Sequence, residues 1–429
     1  MTRRLLFLIV GILGSAFAPA ASAAPEQPSR VGIEFALYFA PEPKTDPEPA
    51  LAALLKAEFS PLTRLATVSH KWSELENYAP PTPDSFRHLT KGLRIEQGAA
   101  IAKSTRVFIL GIEAAPADLM RVNREAGALI SRLAEATDGL PWDEECRLLY
   151  SREAWKRARV QSWQGDIPDV REQVNMHAYR NPELVRIITL GLRKFGQPDL
   201  VLTDVPSSRT RAAGDLVNAF AQRLLEGQKL KDGRFELVLA DLRYDAVRKD
   251  ALADPQPGAT GRLMIKPQVT QPEDGDPANK LWSLNFPDAP GATPMERQSA
   301  ALNQLYGAES KIINRRAGDA ALQAASEKAR KAFFAAEPTF RKGFAPNERV
   351  LVKTAFKIKD QVEYMWVEIL SWNATSFDGV LVNNARFDET LRQGRRVTVE
   401  LKDVYDYIHF KPDGSSEGNE TGKVLERDK

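Results

Sequence analysis

The four histidines, the single cysteine and the 57 acidic residues are the side chains best suited to acid–base, nucleophilic or metal chemistry. No S-x-x-K or H-E-x-x-H motif is present, so these sequence signs of a serine or zinc hydrolase are missing. The lone Cys146 excludes an intramolecular disulfide and any site with several thiolate ligands. Residue spacing therefore predicts no catalytic residues, no metal site and no cofactor.

Ser207, Ser208 and His177 are the weak exceptions. The two serines follow a predicted strand at 199–204 and precede a predicted helix at 210–226. Backbone N–H groups at a helix start attract anions, but serine there is also an ordinary cap, and we favour the cap. His177 is either a base or metal ligand, or a hydrogen-bonded structural residue. We favour the structural role, because no second ligand stands at metal spacing.

A candidate interaction surface lies near the end of the chain. Tyr364 and Trp366 alternate with the apolar Met365 and Val367, as expected for a half-buried strand. Aromatic side chains are enriched at the centres of protein interfaces. We predict a recognition surface formed by Tyr364, Trp366, Asn383, Asn384, Asp406 and Tyr407. The open alternative is that the aromatic residues pack beneath the preceding helix.

The elements that position these residues indicate an α+β fold, because strand and helix patterns alternate and no repeat is visible. Region 31–253 is predicted to be mixed α/β, as one domain or as two with a split near 140–170. From 254 to 300, frequent Pro and Gly predict a connector with a short hairpin. A helix and half-buried strands follow in 309–425. We expect the polar tail to lack fixed structure after Glu420.

The N-terminus predicts export. Residues 1–23 contain Arg3 and Arg4, an apolar stretch and a small-residue end at Ala21 and Ala23, which is typical of a secretory signal peptide. We predict cleavage between Ala23 and Ala24. No lipobox cysteine follows, and no later apolar run is long enough to span a membrane. We therefore predict Sec-type export of a soluble protein to the periplasm or the medium. Cys146 is then either buried or exposed and reactive, and we favour burial.

The charge balance limits the partners. There are 59 Lys and Arg residues against 57 Asp and Glu, a formal charge of +2. Signal cleavage removes Arg3 and Arg4 and no acid, so the mature chain is formally neutral. Such a chain lacks the field that steers proteins to nucleic acid. We exclude nucleic acid and expect a protein partner in the cell envelope.

The last part of the chain carries four motifs in a fixed order: YMWVEI at 364–369, FDGVLVN at 377–383, GRRVTV at 394–399 and DVYDY at 403–407. This block resembles the bacterial domain-of-unknown-function family 2314. Two positions depart from the family pattern, Ala385 in place of proline and Tyr407 in place of tryptophan. The resemblance implies a small α+β domain of one helix and a curved antiparallel sheet, without an activity. Upstream, segment 188–200 is similar to segments that precede this module in other proteins of unknown function.

Good fold signals without a catalytic constellation favour a non-enzymatic binding or protein-interaction protein of the periplasm. A narrower form of this hypothesis is an immunity-like protector that binds a secreted toxin. The alternative is a periplasmic hydrolase whose site assembles from distant residues.

Overall fold

The described part of the chain contains three six-stranded sheets. The computed structural model describes residues 29–40, 42–82, 85–181, 183–277, 279–308, 319–359 and 361–427. The predicted cleavage site at Ala23 and Ala24 lies outside these residues. Each sheet has helices packed against it and a hydrophobic core of its own, so the predicted α+β class is confirmed.

The first sheet has the strand order β2-β4-β1-β5-β6-β3. Its strands are β1 Val31–Tyr38, β2 Ala66–Glu74, β3 Thr90–Lys91, β4 Arg106–Ala114, β5 Leu140–Asp143 and β6 Leu148–Tyr150. The helices of this part are α1 Pro47–Ala57, α2 Ser60–Leu65, α3 Phe86–Leu89, α4 Ile95–Ile101, α5 Leu119–Thr137 and α6 Arg152–Trp155. Helix α5 covers the sheet because its apolar residues recur at three- and four-residue steps. It ends at Asp138, which adopts a left-handed conformation with φ 62°.

The second sheet has the order β12-β13-β14-β11-β10-β9. A short ribbon of β7 Trp163–Gln164 and β8 Ile167–Pro168 precedes it. Its strands are β9 Asn175–Asn181, β10 Leu184–Leu190, β11 Asp199–Val205, β12 Phe235–Val238, β13 Arg262–Thr270 and β14 Leu281–Asn285. Its helices are α7 Val170–Gln173, α8 Thr210–Leu225, α9 Asp245–Ala251 and α10 Pro294–Tyr306.

Strands β13 and β14 both come from segment 254–300, for which we predict a connector. They pair with each other in an antiparallel hairpin, and they lie in the sheet interior between β12 and β11. The Pro- and Gly-rich stretches of the segment form the turns around these strands. This part of the chain therefore supplies two strands of the second sheet, in addition to connecting it to the C-terminal residues.

The third sheet has the order β18-β17-β16-β15-β19-β20. Its strands are β15 Arg349–Ile358, β16 Gln361–Trp372, β17 Ser376–Leu381, β18 Arg396–Glu400, β19 Val404–Phe410 and β20 Ser416–Gly418. Helix α11 Ala320–Phe340 packs on one face, and helix α12 Glu420–Arg427 follows the last strand. Residues 319–427 are called the C-terminal module below. Register shifts near Lys353 and Ile369 mark β-bulges, which bend a sheet.

Candidate functional site

The candidate surface lies on the third sheet, whose two faces are differently covered. Met365, Val367 and Ile369 of β16 are buried in the core beneath Phe333 of α11. Because side chains alternate along a strand, Tyr364, Trp366 and Glu368 project from the opposite face. The predicted alternation is confirmed, and the two aromatic residues do not lie beneath α11.

One half of this outer face is partly open: Tyr364 is exposed, and Trp366, Lys353 and Tyr405 are half-buried. Tyr364 is 44% exposed, and its ring centroid lies 4.3 Å from that of Tyr405 on β19. Between these strands, Lys353 of β15 places its Nζ 5.6 Å from the ring centroid of Trp366. Burial lowers the Lys353 pKa, an effect that nearby Asp406 opposes. These four residues, Tyr364, Trp366, Tyr405 and Lys353, are called the aromatic patch.

The other predicted surface residues have different positions. Asn383 accepts a hydrogen bond from the Trp366 backbone N–H at 3.0 Å, so it supports the patch from the side. Asn384 is exposed and accepts from the Gln393 N–H at 2.9 Å. Tyr407 is buried beneath α11, with its ring centroid 5.8 Å from that of Phe333. It is therefore part of the core.

Asp406 is fully buried and stabilises the start of helix α12. Its carboxylate accepts hydrogen bonds from the Thr421 N–H at 2.8 Å and the Thr421 hydroxyl at 2.6 Å. A side-chain oxygen at this place satisfies N–H groups that have no partner within the helix. The tail that we expect to lack fixed structure is therefore a capped helix, and that expectation is wrong.

Ser207 and Ser208 hold an anion, and the anion is the side chain of Glu368. The Ser207 N–H donates to Glu368 Oε1 at 2.8 Å, and the Ser208 N–H donates to Oε2 at 3.0 Å. Both serines lie in the turn that leads into helix α8, where free N–H groups and the helix dipole favour negative charge. Glu368 is only 1% exposed. The second sheet and the C-terminal module are thus joined by a buried carboxylate.

Apolar contacts and further polar contacts surround this carboxylate. Leu370 and Val380 of the C-terminal module form a small buried cluster with residues that precede it, Leu184 and Met295. At the edge of the contact, Arg396 pairs with Glu183 at 3.3 Å. The second half of the outer face is therefore covered by the second sheet and α10. We call this contact the junction.

A cleft of about 360 Å³ opens beside the junction. One wall is helix α10, with Asn303 and Gln304, and another is the loop that contains Asn384, Arg392 and Gln393. The Asn303 amide donates to Gln393 Oε1 at 2.8 Å and accepts from Arg209 Nη2 at 2.8 Å. A line of hydrogen bonds therefore runs from the start of α8 to the cleft wall.

His177 lies apart from the two serines. Its Nε2 is 2.8 Å from the Asn175 amide, and burial, with Arg147 and His88, lowers its pKa. The strand register aligns His177 with Ile188 and Ile188 with Val201. From Val201 to the end of β11 at Val205 is roughly 13 Å at the rise of a β-strand, and the serines lie beyond that end. A serine–histidine pair is not formed here.

Gly414, Ser416 and Gly418 have the G-x-S-x-G spacing of a nucleophile elbow. In the structure they belong to the turn and strand of the β19–β20 hairpin. An elbow requires a sharp turn from a strand into a helix, with the serine at its tip. Ser416 lies instead in an exposed strand, so the spacing carries no elbow geometry.

A buried ionic cluster lies between the first and second sheets. Asp143 accepts from Lys194 Nζ at 2.6 Å and from Arg159 Nη2 at 2.8 Å, and all three side chains are at most 3% exposed. Burial alone would raise the Asp143 pKa, but Lys194 and Arg159 bring it below its usual value. Local sequence patterns do not indicate this cluster, because single charged residues usually lie on the surface.

Cys146 belongs to the same cluster and is fully buried, as expected. Its Sγ lies 3.3 Å from Lys194 Nζ. Burial, together with the Asp143 charge, raises the Cys146 pKa to about 11. The thiolate is the reactive form of cysteine, so this side chain is a poor nucleophile.

No group of three or more His, Cys, Asp or Glu residues in the described parts of the chain could hold a metal ion. Within those same parts, every helix is too short or too polar to cross a membrane.

No curated protein and no solved structure matches the chain, and the similarity of segment 188–200 to other proteins stays a prediction. The family comparison does find a match. Residues 319–428 match a family described as an uncharacterized protein conserved in bacteria, domain-of-unknown-function family 2314. The C-terminal module therefore has the resemblance that its four motifs indicated.

Proposed function

We propose that this chain is an exported bacterial protein that binds another protein of the cell envelope and catalyses no reaction. The observation that carries the proposal is the aromatic patch, where Tyr364 is 44% exposed on the half of the outer sheet face that the second sheet leaves uncovered. Tyrosine and tryptophan are the residues most often found at the energetic centre of protein interfaces. An immunity-like protector that binds a secreted toxin is a narrower form of this proposal.

The alternative, a hydrolase with a site assembled from distant residues, has less support. Ser207 and Ser208 use their backbone N–H groups to bind Glu368, and the strand register keeps His177 away from them. The thiol of Cys146 is buried and has a raised pKa. None of these groups has the paired geometry that nucleophilic catalysis needs.

Export rests on residues 1–23 and is tested by fractionation. In a Gram-negative host, we expect the chain in the periplasmic fraction, with a mass that corresponds to a start at Ala24. A variant without residues 1–23 should stay in the cytoplasm. Ala23→Arg should keep the precursor uncut, because the cleavage site requires a small residue at this position. Full-length wild-type protein in the cytoplasm would contradict the proposal.

The binding surface is tested by capture from periplasmic extract. We expect Trp366→Ala and Tyr364→Ala each to weaken partner binding by about tenfold or more, since an aromatic hot spot contributes ≥ ~2 kcal/mol. The captured partner is identified by mass spectrometry, and its affinity is then measured with purified protein.

The matched control for this capture is Phe387→Ala. Phe387 is also exposed, at 46%, and lies in the C-terminal module outside the patch, so its replacement should leave affinity unchanged. Thermal unfolding of all three variants checks that the fold is retained. Wild-type affinity in both patch variants would show that the surface is wrong.

A further inference from the structure

Arg209 is a partly buried cation without a charged partner. It directly follows the serines that bind Glu368, and its Nε is fully buried without a hydrogen-bond acceptor. Among the described residues, no Asp or Glu oxygen forms an ion pair with it, and its Nη2 donates to the neutral Asn303 amide. Burial lowers the Arg209 pKa to about 10. Charges removed from water are normally paired or bind a ligand, so this arrangement needs an explanation.

The cleft beside the junction offers an explanation for the unpaired charge of Arg209. Asn303, to which Arg209 donates, forms part of the cleft wall. A second guanidinium, that of Arg392, lines the same cleft. Among the described residues it pairs with Glu389, whose carboxylate is 3.4 Å away and 95% exposed, and such an exposed pair is worth little. The acid in the wall is Glu296, whose Oε2 already accepts from the Ala292 N–H at 2.9 Å. Arg392 in the wall and Arg209, which contacts the wall through Asn303, therefore bring two positive charges to the cleft, against the Glu296 carboxylate in the wall and the solvent-exposed Glu389.

The remaining wall groups favour a small polar ligand. Asn384, Gln393 and Gln304 line the cleft. The Gln304 Nε2 donates to the Arg262 carbonyl at 3.1 Å, and the side-chain amides of Asn384 and Gln393 can donate hydrogen bonds to ligand oxygen atoms. The volume of about 360 Å³ is near the lower end for ligand sites. The planar guanidinium of arginine matches the geometry of carboxylate and phosphate oxygens.

We propose that this cleft, between α10 and the loop 384–393, binds a small ligand through an oxyanion group, either phosphate or carboxylate. Arg392 contacts the oxyanion directly. Arg209 acts through Asn303, which it holds in place, and it contributes positive charge from behind the wall. Because the cleft has walls from both sides of the junction, the bound anion also stabilises the contact between α10 and the C-terminal module. This site is separate from the aromatic patch.

The test uses the mature chain and two probes, inorganic phosphate and succinate, with sodium chloride at equal ionic strength as the reference. We expect one or both probes to raise the thermal unfolding midpoint in a saturable way, whereas chloride does not. Calorimetric titration then gives the affinity. Arg392→Gln should weaken it at least tenfold, and Asn303→Ala should weaken it by a smaller factor. The probe that binds more tightly identifies phosphate or carboxylate as the recognised group.

Arg121→Gln is the matched control, because it removes the same charge at a site 65% exposed on helix α5. It should keep wild-type affinity for the probe. Absence of a shift with both probes, an equal shift with chloride, or wild-type affinity in Arg392→Gln would each overturn the proposal. Partner capture through the aromatic patch does not involve Arg392, so the two proposals fail independently.

Discussion

Replacing Asp143 by alanine should lower the free energy of unfolding by about 3–5 kcal/mol, the usual cost of removing one partner from a buried ion pair. Lys194 and Arg159 would remain inside the protein, at 1% and 3% exposure, without the carboxylate that both contact. They would also lose their hydrogen bonds at 2.6 and 2.8 Å. Urea unfolding followed by tryptophan fluorescence measures the change. Asp143→Asn keeps the shape and should still cost most of this energy, because the charge is what the two cations need.

The control for this result is Asp118→Ala. Asp118 also pairs with an arginine at 2.8 Å, but the two side chains are 29% and 65% exposed. Exposed pairs contribute roughly 0–1 kcal/mol, so this variant should unfold almost as the wild type does. If Asp143→Ala also lost less than about 1 kcal/mol, the cluster would not be the buried charged centre that we describe.

Glu368→Ala should be the second most damaging change, with an expected loss of about 2–4 kcal/mol. It leaves the N–H groups of the half-buried Ser207 and Ser208 without acceptors at the start of α8. An unsatisfied buried donor costs ~1–3 kcal/mol, and two half-buried donors should fall in the lower part of the summed range. Because the carboxylate joins two parts of the chain, we expect the C-terminal module to become easier to cleave from the rest. Limited proteolysis and urea unfolding measure the two effects separately.

Glu363→Ala is a matched control on the same strand. The Glu363 carboxylate also accepts from a backbone N–H, that of Arg386, at 2.9 and 3.0 Å, but in an exposed setting. Water can replace an exposed acceptor, so the expected loss is below about 1 kcal/mol. Equal stability of the Glu363 and Glu368 variants would mean that the junction does not depend on this contact.

Local sequence patterns alone are enough to identify the elements that carry a continuous apolar signal. The positions of the apolar residues indicate which side is buried in strands β1, β4 and β16 and in helix α5. Strand β2 carries no such signal, because it is an edge strand with mostly exposed or half-buried side chains. The residues of helix α12 also lack a local signal, because the start of the helix is stabilised by Asp406, which lies on strand β19.

The candidate site was predictable only in part. Alternation placed Tyr364, Trp366 and Glu368 on one face, and that is where they lie. The alternation does not show which of these three side chains is exposed, because their exposure depends on how the second sheet packs against this face. Glu368 is an acid at an outward position, which normally indicates solvent, yet docking buries it. The sequence does not predict the ionic cluster either. Its members, Asp143, Arg159 and Lys194, are separated along the chain, and only the fold brings them together.

Leu370 and Val380 have a consequence for how the matched family diversifies. They are buried here in one cluster with Leu184 and Met295, which precede the module. A relative that consists of this module alone would expose both positions to water, where contiguous apolar surface promotes aggregation. We therefore expect polar residues at these two strand positions in proteins that consist of the module alone. Where the same gene also encodes an upstream sheet, we expect apolar residues at both positions.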